Sequence, residues 1–146
     1  MRFDCFKKAA DHECSGDDEI VLPYDERKRS RGKCTSEKGA SVAWFLDRGE
    51  YLLGGDTLVS TTDYFFLVKA RPEPVSCVSA TDNFTLTRIA YHLGNRHVPL
   101  ELRQHELLYQ PDHVLDQMVI GFGAQVDETI SPFQPEDGAY HAHPKH

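Results

Sequence analysis

Eight histidines stand in this 146-residue chain, and all but His12 lie at or beyond position 92. His92, His97, His113 beside Asp112, and the pair His141 and His143 followed by His146 place imidazoles and a carboxylate in the second half. Such donors suit nickel, copper or zinc, whereas calcium and magnesium take oxygen ligands. Thiolates do not join them. The four cysteines, Cys5, Cys14, Cys34 and Cys77, contain no C-x-x-C pair and read as free thiols of a reducing compartment.

Each histidine also has a plainer reading. His92, in the last turn of a helix, complements the helix carboxyl end when charged. His97 follows the polar turn Gly94-Asn95-Arg96 and could be a lone exposed imidazole. His113 opens a helix, a poor place for a cation but a good one for a neutral, metal-bound ring, with Asp112 as N-cap. His105 reads as a surface strand residue. His141 and His143 could be solvated, yet an i,i+2 pair on a mobile segment can close over a nearby ion.

Other chemistries find less support. The chain carries no G-x-S-x-G, H-E-x-x-H or phosphate-cradling G-x-x-x-x-G-K-[ST] sequence. A small metal-dependent hydrolase could use His92, His97, Asp112 and His113, but nothing fixes three ligands, an open position and a general base. Sixteen Lys and Arg against 23 Asp and Glu give a net charge of −7, which argues against gripping a phosphate backbone. No run approaches the roughly 20 apolar residues of a membrane span, and the start lacks a signal-peptide core. A cytoplasmic protein that contacts neither membrane nor nucleic acid is the expectation.

Two successive patterns must position the histidines. Residues 1–18 are polar and read as a flexible leader without a fold. From 19 to 73, short runs such as Ile20-Val21-Leu22, Ser41–Leu46, Tyr51–Leu53, Thr57–Ser60 and Tyr64–Val68 alternate with turn residues, the mark of a small β barrel or sandwich. The basic run Glu26–Lys33 reads as a solvated edge strand or loop that could dock an acidic partner. Pro72 and Pro74 then mark a boundary.

Residues 74–132 change period. Val75–Val78 reads as a strand. Asp82 or Asn83 caps a helix through Leu93 that Gly94 should end. Two short strands follow, then a helix opened by Pro111-Asp112 and a last strand near Ala124–Ile130. The order βαββαβ is ferredoxin-like, making the chain α+β: an all-β amino-terminal domain, then two helices on an antiparallel sheet. His105–Tyr109 lacks the basic and aromatic run with which RNA-recognition domains of this plan stack bases. Residues 133–146 read as a flexible, histidine-bearing tail.

Tyr91–Leu100, Asp112-His113-Val114-Leu115 and Pro132–Tyr140 resemble the urease accessory protein UreE family of nickel metallochaperones, as do Phe45–Gly49, Gly54–Val59 and Pro72–Val75 upstream. The resemblance covers about nine-tenths of the chain. It implies an amino-terminal domain that holds peptides or partners and a metal-binding domain that forms a homodimer. It further implies that His97 sits at the dimer axis, each protomer giving one imidazole to a shared Ni2+, with Zn2+, Cu2+ or Co2+ as competitors. His141 and His143 would complete the coordination, and Asp112 and His113 match a second cluster. The partners implied are urease apoprotein and its accessory GTPase complex, and no catalysis is implied.

Protons compete with a metal for imidazole nitrogen, so nickel affinity should fall between neutral pH and about pH 6. Calorimetric titration at both values checks this, and an unchanged affinity would count against histidine ligation.

Overall fold

The structure is a computed structural model that describes residues 1–9 and 16–137. His12, Cys14, His141, His143 and His146 lie outside those residues. The chain divides into two units, Met1–Arg71 and Pro72–His146.

The first unit contains strands β1 (Arg2–Lys8), β2 (Asp18–Leu22), β3 (Arg31–Thr35), β4 (Ser41–Phe45), β5 (Thr57–Ser60) and β6 (Phe65–Ala70), with the single-turn helix α1 (Tyr24–Arg27) after β2. They form one six-stranded sheet in the order β2-β6-β5-β1-β4-β3. The turn after β3 reaches toward the opposite edge: Glu37 N–H donates to the Glu19 carbonyl at 2.9 Å and Lys38 N–H to Asp18 Oδ1 at 3.2 Å. The sheet is thereby curled almost into a barrel.

Period-2 alternation explains which side chains face inward. Cys5, Val42, Trp44, Leu58, Phe66 and Val68 are all buried in one core cluster. Trp44 is held in two ways. Its indole N–H donates to the Arg29 carbonyl at 3.1 Å, and its ring occupies the space above Gly32, where a Cβ would stand 2.3 Å from Cζ2.

Two expectations fail in this unit. Residues 2–8, expected to belong to a leader without a fold, form β1, which lies between β4 and β5 and buries Cys5 completely. The strand was masked by its charged outward residues Arg2, Asp4 and Lys8, which leave only Phe3 and Cys5 to mark the inner face. Tyr51–Leu53 is a loop and not a strand. Leu52 is buried, and its N–H donates to the Arg27 carbonyl at 2.8 Å.

The second unit contains β7 (Pro72–Ser79), α2 (Asn83–Asn95), β8 (Leu100–Leu102), β9 (Leu107–Tyr109), α3 (His113–Gly121) and β10 (Gln125–Pro132), in the expected βαββαβ sequence. The sheet order is β10-β7-β9-β8, and every pair is antiparallel. Val78, Leu107 and Tyr109 on one sheet face meet Ile89, Leu93 and Val119 of the helices. Tyr109 also donates its hydroxyl hydrogen to Asp116 Oδ1 at 2.5 Å, tying the sheet to α3. Burial, and the carboxylate that accepts this bond, push the Tyr109 phenol well above its usual range.

Pro72 and Pro74 lie inside β7 rather than between elements. They pair only with β10, because β9 meets β7 from Ser76 onward, so the missing prolyl N–H groups fall where β7 is locally an edge. Residues 133–137 also differ from the expected flexible tail. Phe133 is fully buried, Gln134 N–H donates to Glu101 Oε1 at 2.8 Å, and Glu136 N–H donates to the Leu100 carbonyl at 2.7 Å. Glu101 alternates with the helix-facing Leu100 and Leu102. This segment is therefore a strap that leaves the β10 edge and crosses to the β8 edge over the face opposite the helices.

Gly32→Ala should destabilise the protein by about 1–3 kcal/mol, because the added methyl group and the Trp44 ring cannot share one volume. Thermal unfolding followed by tryptophan fluorescence checks it.

Candidate metal centre

The position of His97 follows from how α2 begins and ends. Asp82 caps the start, its Oδ1 accepting the Thr85 N–H at 2.7 Å, and the Thr85 amide and hydroxyl hold the carboxyl below its usual range. Leu86, Ile89 and Leu93 form the buried stripe. Gly94 does not end the helix, which runs on to Asn95 with Arg96 as C-cap. The reversal comes at His97, whose φ of 59° lies in the left-handed region.

The bonds there are those of a Schellman turn. His97 N–H donates to the Gly94 carbonyl at 3.0 Å and Val98 N–H to the Leu93 carbonyl at 3.2 Å. Glycine usually takes this place because a Cβ is disfavoured there. Among the described residues only Asp63 and His97 have positive φ without being glycine. The imidazole is exposed, and a residue that costs the backbone something here is a candidate for a role of its side chain.

His97 lines an open cleft of about 380 Å³ together with Arg96, Val98, Pro99, Gln110, Pro111, Asp112 and Leu115. Two sequence candidates, His97 and Asp112, therefore meet at one cleft. Asp112 is partly committed, since its Oδ1 caps α3 by accepting the Leu115 N–H at 3.1 Å. His113, the first residue of α3, is exposed but does not line the cleft.

The other histidines separate from this centre. His92 is half-buried and stacks on Phe122, ring centroids 5.0 Å apart, with the edge of Tyr91 at 5.2 Å. That is a packing role. His105 lies exposed in the turn between β8 and β9, not in a strand. Among the described residues, no three His, Cys, Asp or Glu side chains converge on one point. His97 and Asp112 alone leave most of a coordination sphere to be supplied.

The described cysteines are poor candidates to supply it. Burial pushes the Cys5 thiol up to about 12 and that of Cys34 up to about 11. Cys77 is raised to about 11 by burial and by Glu106, whose Oε2 accepts its S–H at 3.3 Å. All three stay protonated at neutral pH, whereas metal ligation uses the thiolate.

Sequence reasoning missed the strap and its anchor Glu101. The Pro132–Glu136 run was visible, but it has no period, and only Phe133 hinted that one side is buried.

Comparison with known proteins agrees with this architecture. The family profile described as UreE urease accessory protein, N-terminal domain, matches residues 7–71, and that of the C-terminal domain matches residues 73–146. The chain belongs to the UreE urease accessory protein family. It is 50% identical over 124 residues to urease accessory protein UreE of Teredinibacter turnerae, covering 85% of this chain and 80% of that one. It is 46% identical to the UreE of Saccharophagus degradans, covering 84% of this chain and 73% of the other. With the UreE of Nitrosococcus oceani it shares 37% identity across 97% of this chain and 88% of that protein. The two UreE profiles meet at the boundary of the two structural units, so the cleft at His97 belongs wholly to the C-terminal UreE domain.

Replacing His97 by glycine should leave the protein as stable or raise its stability by up to about 1 kcal/mol, since glycine relieves the left-handed backbone. His97→Ala should gain nothing. Paired thermal melts of the two variants check the difference.

Proposed function

We propose that this protein carries Ni2+ for urease maturation, holding the ion at a site shared by two copies of the chain. Each copy gives the His97 imidazole, and His141 and His143 complete the coordination. Asp112 stands beside the primary ligand, while His113 belongs at most to a second, weaker site. The ion is cargo to be handed to urease apoprotein through its accessory GTPase complex. The protein is then a cytoplasmic carrier and not a catalyst.

The observation that carries this reading is the exposed His97, fixed by a left-handed turn at the rim of an open cleft that offers too few ligands by itself. An imidazole so placed is half of a site. A second copy related by a two-fold axis through that point brings the same residue to the same ion, as isologous contacts require. Membership of a family of urease accessory proteins supplies the setting.

The strap supports the part assigned to the tail. Glu136 is bonded to Leu100, so the last described residues lie at the strand that follows His97 by three residues. Extended chain spans about 3.5 Å per residue, which lets His141 and His143 reach an ion at His97. Tethering raises their effective concentration there without closing the cleft permanently. A carrier needs that combination: additional ligands retain the ion, and their withdrawal releases it without unfolding the domain.

Native mass spectrometry during Ni2+ titration tests the proposal on the full chain, His97→Ala and a form ending at Asp137. The expected result is one tightly held nickel per dimer, loss of that ion in His97→Ala with the dimer intact, and a weakening of about tenfold or more on removal of the tail. Equal nickel retention by His97→Ala would overturn the shared site.

A further inference from the structure

The basic run Glu26–Lys33 takes no part in the metal centre, and the structure divides it. Arg27 turns inward, is almost wholly buried, and donates its Nε–H to the Leu22 carbonyl at 2.9 Å. Lys28 pairs with Asp25 at 3.2 Å. Arg31 and Lys33, by contrast, are exposed on β3, and neither pairs with a carboxylate among the described residues.

β3 ends the six-stranded sheet, and its register shows which backbone groups face outward. Leu46 N–H bonds the Ser30 carbonyl and Ser36 N–H bonds the Ala40 carbonyl, both at 2.8 Å. With Gly32 opposite Trp44 and Cys34 opposite Val42, the even-numbered residues of β3 hold the ladder to β4. The N–H and C=O groups of Arg31, Lys33 and Thr35 therefore point away from β4, and none has a backbone partner among the described residues.

The side chains of these three residues are exposed on the outer sheet face. Phe45 lies on that face opposite Arg31, with the guanidinium carbon 6.0 Å from its ring centroid, and Phe6 stacks on Phe45 at 5.1 Å. The aromatic pair steadies Arg31 at the open edge.

We propose that the Arg31–Thr35 edge is a docking strand for an extended acidic segment of a partner protein, which adds a seventh strand to the sheet. Backbone bonds to Arg31, Lys33 and Thr35 supply the attachment. Alternate Asp or Glu side chains of the incoming strand lie beside Arg31 and Lys33 and supply the selectivity. The same strand of a second copy does not fit, because pairing β3 with β3 sets the cations Arg31 and Lys33 of both copies along one seam. Against an overall charge of −7, two cations without carboxylate partners among the described residues on one strand are a local reversal of sign that favours an acidic segment there.

Four blocked peptides of alternating residues test this on the metal-free full chain: valine with glutamate, valine with lysine, and the glutamate peptide N-methylated on the amides of one edge or of the other. Binding is read by titration and by amide hydrogen exchange. The glutamate peptide should bind and slow exchange at Arg31, Lys33 and Thr35, while Gly32 and Cys34 change little. The double variant Arg31→Glu with Lys33→Glu should weaken it about tenfold or more, and its unchanged thermal melt would show that the fold survives. N-methylation of the edge that pairs should abolish binding. Equal binding of the lysine peptide, indifference to methylation of either edge, protection confined to other strands, or no binding at millimolar peptide would each overturn the proposal.

Discussion

The second unit turns on one backbone reversal. Ending α2 requires a residue that accepts a left-handed conformation while its own N–H and the next satisfy the Gly94 and Leu93 carbonyls. Placing histidine there fixes an exposed imidazole at a helix terminus. The imidazole gains a fixed origin because the two closing bonds and the buried contacts of Leu93 and Val98 hold the turn. It also stays outside the core, where a metal can reach it. Precision without burial is what the proposed exchange of an ion at this residue would require.

Around that turn the sheet and strap perform a second task. The βαββαβ plan returns the chain to the β10 edge, the far side of the sheet from β8. The strap cancels this distance: Phe133 anchors it by burial, and Glu101 and Leu100 receive it at β8. A backbone route fixed by three contacts thus carries the chain to the β8 edge by Glu136.

Much of this was legible from residue pattern. The apolar stripe Leu86, Ile89 and Leu93 announced α2, and Asp82 and Asp112 announced the N-caps that both helices use. The same patterns erred where local and tertiary signals disagree. Gly94 has the chemistry of a stop, yet the helix passes through it, because the Schellman bonds form at His97. Pro72 and Pro74 stand at the junction of the two units, yet both are strand residues, because β10 alone flanks them. β1 escaped notice because its inner face shows only Phe3 and Cys5, and its membership in the sheet is fixed by distant pairing with β4 and β5. The candidate site was half legible: residue type singled out His97 and Asp112, but only the fold brings them to one cleft and moves His92 into packing.

The protonated state of Cys5, Cys34 and Cys77 has a consequence for metal discrimination. Monovalent copper seeks thiolate sulfur, and a protein with an ionised cysteine near an imidazole invites it as a contaminant. Here each of the three sulfurs would first have to surrender a proton that burial retains well above neutral pH. Among the described residues the exposed thioether of Met1 is then the soft donor in easiest reach, and the three thiols compete poorly with exposed nitrogen and oxygen. Cysteine sulfur is thereby kept at a disadvantage against the exposed imidazoles of His97, His105 and His113.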